Sequence, residues 1–344
     1  MRLTQLITAG ALALGLMMPL AAKAQDLTEV SIALSWLRNG QYAPILAGDS
    51  LGYFKDEGLK LKLLDGGPGK NTISFVGVGQ ADFGIDSSVF VFRSRQAETP
   101  VDISVVGALL QHGPYGYITL TEPGAPKPTP QDMVGKKIGI QADGEVFLQG
   151  LARLNNLDYK SFQIQTVQGG IEPLMTGQVD FYSGWITNQP YQFELEAAKP
   201  DAPANIKGKI WQAIVLSEVA VAAYGDVIFT RSALLKEKPE VVKKVMRAIA
   251  RGLEATINEP EKIAKLVTEY PDQGDNYERV IWRLKNGQNE LMTSKDTREH
   301  GLLWMDPERW VKHQEFYKEA GLIPRVEDPA AFVTNEFNPG IKSK

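Results

Sequence analysis

The stretch Gly79-Gln80-Ala81-Asp82-Phe83 returns 98 positions later as Gly177-Gln178-Val179-Asp180-Phe181. Each copy follows a short apolar run that reads as a helix, residues 73–78 and 171–175, and opens a run that reads as a strand. Gly79 and Gly177 suit the left-handed position at which helices commonly end. The spacing exceeds the roughly 20–45 residues of a solenoid unit and suits one copy in each of two similar lobes. Asp86-Ser87-Ser88 follows the first strand and Gly184-Trp185-Ile186-Thr187-Asn188 the second, each leading into a further helical pattern. Ligands of open α/β sheets bind outside the carboxyl ends of the strands. Two such ends, one per lobe, face each other across a cleft. The competing reading is a chance recurrence of a common helix–glycine–strand turn.

The amino terminus reads as an export signal over residues 1–24. Arg2 begins it, residues 6–22 are apolar, and Ala22-Lys23-Ala24 forms a small-residue cleavage site before Gln25. Gly10, Gly15 and Pro19 interrupt the apolar part, which is short for a membrane span. The expectation is a periplasmic protein without a lipid anchor, because the chain has no cysteine. That absence also excludes disulfides, thiolate metal sites and cysteine nucleophiles. Cleavage removes two bases and moves the formal charge from −4 to −6. Mild acidity with scattered signs argues against nucleic acid and anionic membranes as partners. His112, His300 and His313 show no metal-ligand spacing, and no metal or cofactor is expected.

Length suggests two domains. Strands are expected at 29–35, at 59–63, where leucines alternate with lysines, and at 101–110. Helices are expected at 40–49 and 88–97. The segment 123–130 holds four prolines and reads as an exposed loop. A second α/β pattern follows, with strands at 137–141 and 162–167 and helices at 145–155 and 190–199. Apolar runs at 210–216 and 220–229 then return the chain to the first lobe. Val242, Val245, Met246, Ile249, Leu253 and Ile257 share one stripe of a helix, and further helices fit 260–270, 277–291 and 307–319. Lobe one is therefore expected to be discontinuous, 25–113 with 225–344, and lobe two to span 114–224.

Trp36 at a strand end, with Asn39 and Gln41 before a helix, brings an indole, amides and helix N–H groups to one point; the alternative is that Trp36 packs under the helix. Ser87 and Ser88 read as hydroxyl donors or as helix caps. Tyr115 either stacks on a ligand or packs a hinge. Gly144 and Glu145 open a helix whose N–H groups suit an anionic or carbonyl oxygen, and Asp143 reads mainly as its cap. Trp185, Asn188, Gln189 and Tyr191 give aromatic faces beside amides, the pattern that suits a flat heterocycle; the alternative is a packed sheet–helix junction. Tyr224 is a further candidate near the second crossover. No arginine stands at these strand ends, which disfavours a ligand needing a bidentate anion clamp. Elbow, zincin, P-loop and dinucleotide motifs are absent.

Trp36-x-x-Asn39, Leu51-Gly52-Tyr53-Phe54-Lys55-Asp56-Glu57-Gly58-Leu59, Gly79-Gln80-Ala81-Asp82-Phe83-Gly84, Asn188-Gln189-Pro190 and Gly321-Leu322-Ile323 together resemble one family. It is the ABC-transporter periplasmic solute-binding proteins of the thiamine-pyrimidine-precursor type, whose relatives bind sulfonates, nitrate, formylated aminopyrimidine and riboflavin. The resemblance covers essentially the whole mature chain. It implies an α/β, two-lobed periplasmic binding protein type II fold, each lobe a mixed sheet flanked by helices, with the ligand cleft between. It also implies a small-molecule ligand, an ABC permease as partner and a monomer. Iron-dependent pyrimidine-synthesising enzymes of this fold carry a cysteine cluster and a histidine where Tyr42 stands, and pyrimidine binders carry an acid where Gln189 stands. Tyr42 thereby joins the candidate ligand residues, and the expectation is binding without turnover. The ligand expected is a pyrimidine-like or other aromatic heterocycle, with a small sulfonate- or nitrate-like anion as the alternative.

Overall fold

A computed structural model describes residues 26–67, 70–141, 144–219 and 223–342; the export-signal reading of 1–24 and the reading of Asp143 lie outside them. The strands are β1 (Thr28–Ala33), β2 (Leu59–Leu64), β3 (Phe83–Ser87), β4 (Ile103–Ala108), β5 (Tyr115–Thr121), β6 (Lys137–Ile140), β7 (Gln163–Thr166), β8 (Phe181–Trp185), β9 (Ile210–Val215) and β10 (Asp226–Arg231). They form two five-stranded sheets, ordered β2-β1-β3-β10-β4 and β7-β6-β8-β5-β9. In the first, β1 runs parallel to β2 and β3, and β10 runs antiparallel to β3 and β4. In the second, β6 runs parallel to β7 and β8, and β5 runs antiparallel to β8 and β9. The chain thus lays down one pattern twice.

The recurring pentapeptide explains the likeness. Gly79 (φ 77°) and Gly177 (φ 73°) both take the left-handed conformation that ends the preceding helix. The aspartate after each then ties neighbouring strands together. Asp82 Oδ2 accepts from the backbone N–H of Ser31 at 2.8 Å and from its hydroxyl at 2.7 Å. Asp180 Oδ2 accepts from the N–H of Lys137 at 2.9 Å. Even the backbone carbonyls match, since Thr230 Oγ1 donates to Asp82 O at 2.6 Å and Thr119 Oγ1 to Asp180 O at 2.9 Å. Phe83 and Phe181 then enter the cores. The repeat builds scaffold.

Asp82→Ala is expected to cost about 1–3 kcal/mol of stability, because the half-buried Ser31 N–H loses its acceptor. Asp180→Ala is expected to cost less, since Asp180 is exposed and accepts a single side-chain bond from Lys137. Thermal melts of the two variants check the order.

Each sheet carries an apolar cluster on either face. Val242, Val245, Met246, Ile249 and Leu253 are fully buried on the helix Pro239–Asn258, as their spacing indicates. That helix crosses the helix Ala43–Ser50 closely; a Cβ on Gly252 would meet Pro44 O at 2.0 Å.

Two expectations are corrected. Residues 210–216 do not return to the first sheet: β9 pairs with β5, and only β10 returns. Strand β5 itself lacked a legible pattern. Residues 277–291 are not one helix. The helix Tyr277–Arg283 gives way to a widened turn, Leu284–Gln288, where Gly287 takes φ 113°. The break lets the Gln288 amide reach back to the carbonyls of Gly40 and Gln41, at 3.3 and 3.1 Å.

Candidate functional site

The end of β8 reaches the other lobe, where Trp185 packs on its core and Asn188 bonds to the helix Tyr277–Arg283. Beyond β1, Trp36 is 46% exposed, while its backbone N–H donates to Tyr42 Oη at 2.8 Å. Ser35 Oγ shares the same hydroxyl at 2.9 Å. Tyr42 is therefore a buried post under the Trp36 loop, and burial pushes its phenol far above the ordinary range. It does not line the cleft, contrary to its reading as a ligand residue. Asn39 Oδ1 accepts from the N–H of Gln41 at 2.8 Å. Gln41 turns its amide inward, donating to Asp226 Oδ2 at 2.9 Å. Asp226 is buried, and desolvation pushes its carboxyl up to about 6 against the opposing pull of the Gln41 bond.

The serines separate. Ser87 precedes the helix Ser88–Arg95, half-buried and making no side-chain cap bond. Ser88 is fully buried and donates to Tyr224 O at 2.7 Å, so it is not a cleft donor. Tyr224 is likewise in the core. Its hydroxyl accepts from Asp306 N at 2.8 Å, and its ring lies 5.1 Å from that of Trp310. Both readings as ligand residues are corrected for one reason: burial in the fold keeps these hydroxyls out of a solute's reach.

In lobe two, Tyr115 and Trp185 are register partners on β5 and β8. The Tyr115 ring lies 4.7 Å from that of Phe147, and a Cβ on Gly144 would meet its hydroxyl at 2.3 Å. Only glycine lets the tyrosine come so close. The Glu145 side chain accepts from Tyr159 Oη (2.9 Å) and Gln149 Nε2 (3.3 Å) within its own lobe. Gln189 opens the helix Gln189–Ala197, and its Oε1 accepts from Trp185 N at 2.8 Å. Its carbonyl thus fixes the end of β8. Trp185 is half-buried and packs against the core cluster of lobe one, across the lobe boundary.

A group that the strand ends did not reveal completes the junction. Asn188 Oδ1 accepts from Arg279 Nη2 at 2.8 Å and from Arg283 Nη2 at 2.9 Å, both on the helix Tyr277–Arg283. Asp275 lies 3.3 Å from each guanidinium and also accepts from Gly40 N at 3.0 Å. Trp282 Nε1 donates to Glu194 Oε2 at 2.7 Å, and the rings of Trp282 and Tyr191 lie 5.4 Å apart. The reading that the strand ends lack an arginine clamp left out a helix. The two arginines arrive from a helix, four residues apart and so on one face, and that spacing was the available signal. Among the described residues no group of three or more His, Cys, Asp or Glu is placed to hold a metal ion.

The NMT1/THI5-like family model matches residues 39–263, well over half of the chain. The chain belongs to this family. It is 26% identical over 318 residues to 4-amino-5-hydroxymethyl-2-methylpyrimidine phosphate synthase of Legionella pneumophila, covering 91% of this chain and 93% of that one. It is 27% identical over 339 residues to the riboflavin-binding protein RibY of Chloroflexus aurantiacus, covering 94% and 90%. The fold is that of the periplasmic aliphatic sulphonate binding protein SsuA of Escherichia coli, with a TM-score of 0.63 at 14% identity over 89% and 92% of the two chains. The two-lobed periplasmic binding protein type II architecture of this NMT1/THI5-like protein follows. The expectation of binding without turnover is overturned, because the relative matched along almost its whole length is named as an enzyme. The absent cysteines and Tyr42 were too narrow a basis for it.

Proposed function

We propose that this protein captures a small, flat, aromatic-like solute between lobe one (25–113 with 225–344) and lobe two (114–224), in the periplasm, and hands it to the permease of an ABC importer. The observation that carries the reading is Trp185. It ends the central strand of lobe two, is held there by Gln189, and reaches the core of lobe one across the junction. Trp36, exposed at the end of β1, supplies a second indole from the opposite lobe. Tyr115, Asn39 and Ser87 are assigned to the same site in this reading. Indole faces with amides beside them recognise a heterocycle by stacking and a few hydrogen bonds, once closure excludes water. The relative named for riboflavin supports a ring ligand.

If Trp185 stacks on the ligand, Trp185→Ala is expected to cost on the order of 1–3 kcal/mol of binding, by analogy with stacking on bases. That is roughly a ten- to hundredfold loss of affinity. Calorimetric titration with riboflavin and with unphosphorylated aminopyrimidines, beside a melt of the free variant, checks it. Unchanged affinity with a steep loss of melting temperature assigns Trp185 to packing alone.

A second reading is pyrimidine-phosphate synthesis, favoured by the name of the Legionella relative. Chromatography of a bound ligand after incubation with the protein separates the two, since only synthesis alters it.

A further inference from the structure

We propose that Arg279 and Arg283 form an anion-recognition pair at the lobe junction, selecting solutes that carry a carboxylate, sulfonate or phosphate beside their ring. This deepens the reading of the cleft as a solute site and rests on it. The helix Tyr277–Arg283 presents the two guanidinium groups on one face. A single acid, Asp275, ion-pairs with both, leaving the trio one positive charge in excess. Arg283 and Asp275 are almost fully buried, and burial holds the arginine below its ordinary range. An excess charge with so little water is costly unless an anion compensates it.

Besides Asp275, the acceptor facing both cations is neutral. The Asn188 amide oxygen of the opposite lobe takes one N–H from each. Bonds to a charged oxygen are roughly twice as strong as bonds to a neutral one, so an anionic oxygen entering the junction replaces the amide at a net gain. One further donor stands ready, because Nε of Arg283 is buried without a hydrogen-bond acceptor. Gly40 closes tightly on this corner, where an added Cβ would come 3.2 Å from Val280 Cγ2 and 3.4 Å from Arg283 Nε, so an entering oxygen takes the place of the Asn188 amide. Beside this corner lies the Tyr191 ring, 5.8 Å from the Arg279 guanidinium, and Asn188 N bonds Trp185 O at 2.9 Å, so the charged corner adjoins the aromatic wall. A flat ring with an anionic substituent matches both.

The test uses matched pairs of the same ring, nicotinate with nicotinamide and benzenesulfonate with benzenesulfonamide, titrated into the whole mature protein by calorimetry. The variant is Arg279→Gln, at a side chain about one-third exposed and so better tolerated than a change at Arg283. The anionic member is expected to bind at least about tenfold more tightly than the neutral one, with a preference that falls as salt is raised. Arg279→Gln is expected to abolish most of that preference while leaving the neutral member's affinity within about threefold, and Arg279→Lys to restore part of it. Equal binding of the two members, or a preference that survives in Arg279→Gln, overturns the proposal and leaves the ring-binding reading standing. Failure of every member to bind overturns both.

Discussion

Trp310→Ala is expected to lower folding stability by about 3–5 kcal/mol, the range for large aromatic side chains removed from a core. Trp310 is fully buried on the helix Pro307–Glu319. Its ring lies 5.4 Å from Phe92 and 5.8 Å from Phe332, both edge-on, and 5.1 Å from Tyr224. Its indole N–H has no acceptor, so apolar contact supplies its contribution. The same helix supports lobe two. Arg153 Nη1 donates to Glu319 O at 3.2 Å, and a Cβ on Gly150 would touch Ala320 at 2.9 Å. Both partners belong to the helix Glu145–Leu154 that follows Gly144. A urea titration of the variant checks the magnitude. A loss below about 1 kcal/mol contradicts the packing described. The contrast with Trp185→Ala is the useful part: one indole is expected to matter for folding and the other for affinity.

Arg283→Met is expected to cost about 3 kcal/mol, the lower end of the roughly 3–5 kcal/mol for removing one partner of a buried ion pair. The loss leaves the Asp275 carboxylate with less compensation in a site that excludes water. It falls at the lower end because Arg279 Nε remains 3.3 Å from Asp275 and Gly40 N still donates to it. Asn188 also loses one of its two donors, so the contact between the lobes loosens with the fold. The double change Arg283→Met with Asp275→Leu is expected to recover part of the loss, because no lone buried charge then remains. Chemical denaturation of the single and double variants checks both signs.

What could be read from the residues followed a physical rule. Positions with one local job were legible. Gly79 and Gly177 had to end helices, and the stripe from Val242 to Leu253 had to face a core, since helix period and glycine conformation admit few alternatives. Side chains with two possible jobs were not. Tyr42, Ser88 and Tyr224 carry polar tips that suit a solute, yet the same tips complete bonds to Trp36 N, Tyr224 O and Asp306 N inside the fold. Only burial separates these roles. Long-range pairs were equally hidden. Arg279 and Asn188 are 91 residues apart, and the four-residue spacing of Arg279 and Arg283 marks a shared helix face without naming its partner. The widened turn before Gln288 obeyed a distant demand too, the carbonyls of Gly40 and Gln41.

The central claim is the proposal that Trp36, Trp185 and Asn188 belong to a solute site. A thermal-shift screen of the protein across vitamins, pyrimidines, flavins, aromatic acids and sulfonates tests it most directly. A solute that binds only the folded chain stabilises it by about 2.7 kcal/mol at a hundred times its dissociation constant. At least one ring-bearing solute is expected to raise Tm in the native protein and to lose most of that shift in Trp185→Ala. A screen with no shift, or a shift that Trp185→Ala leaves intact, contradicts the account.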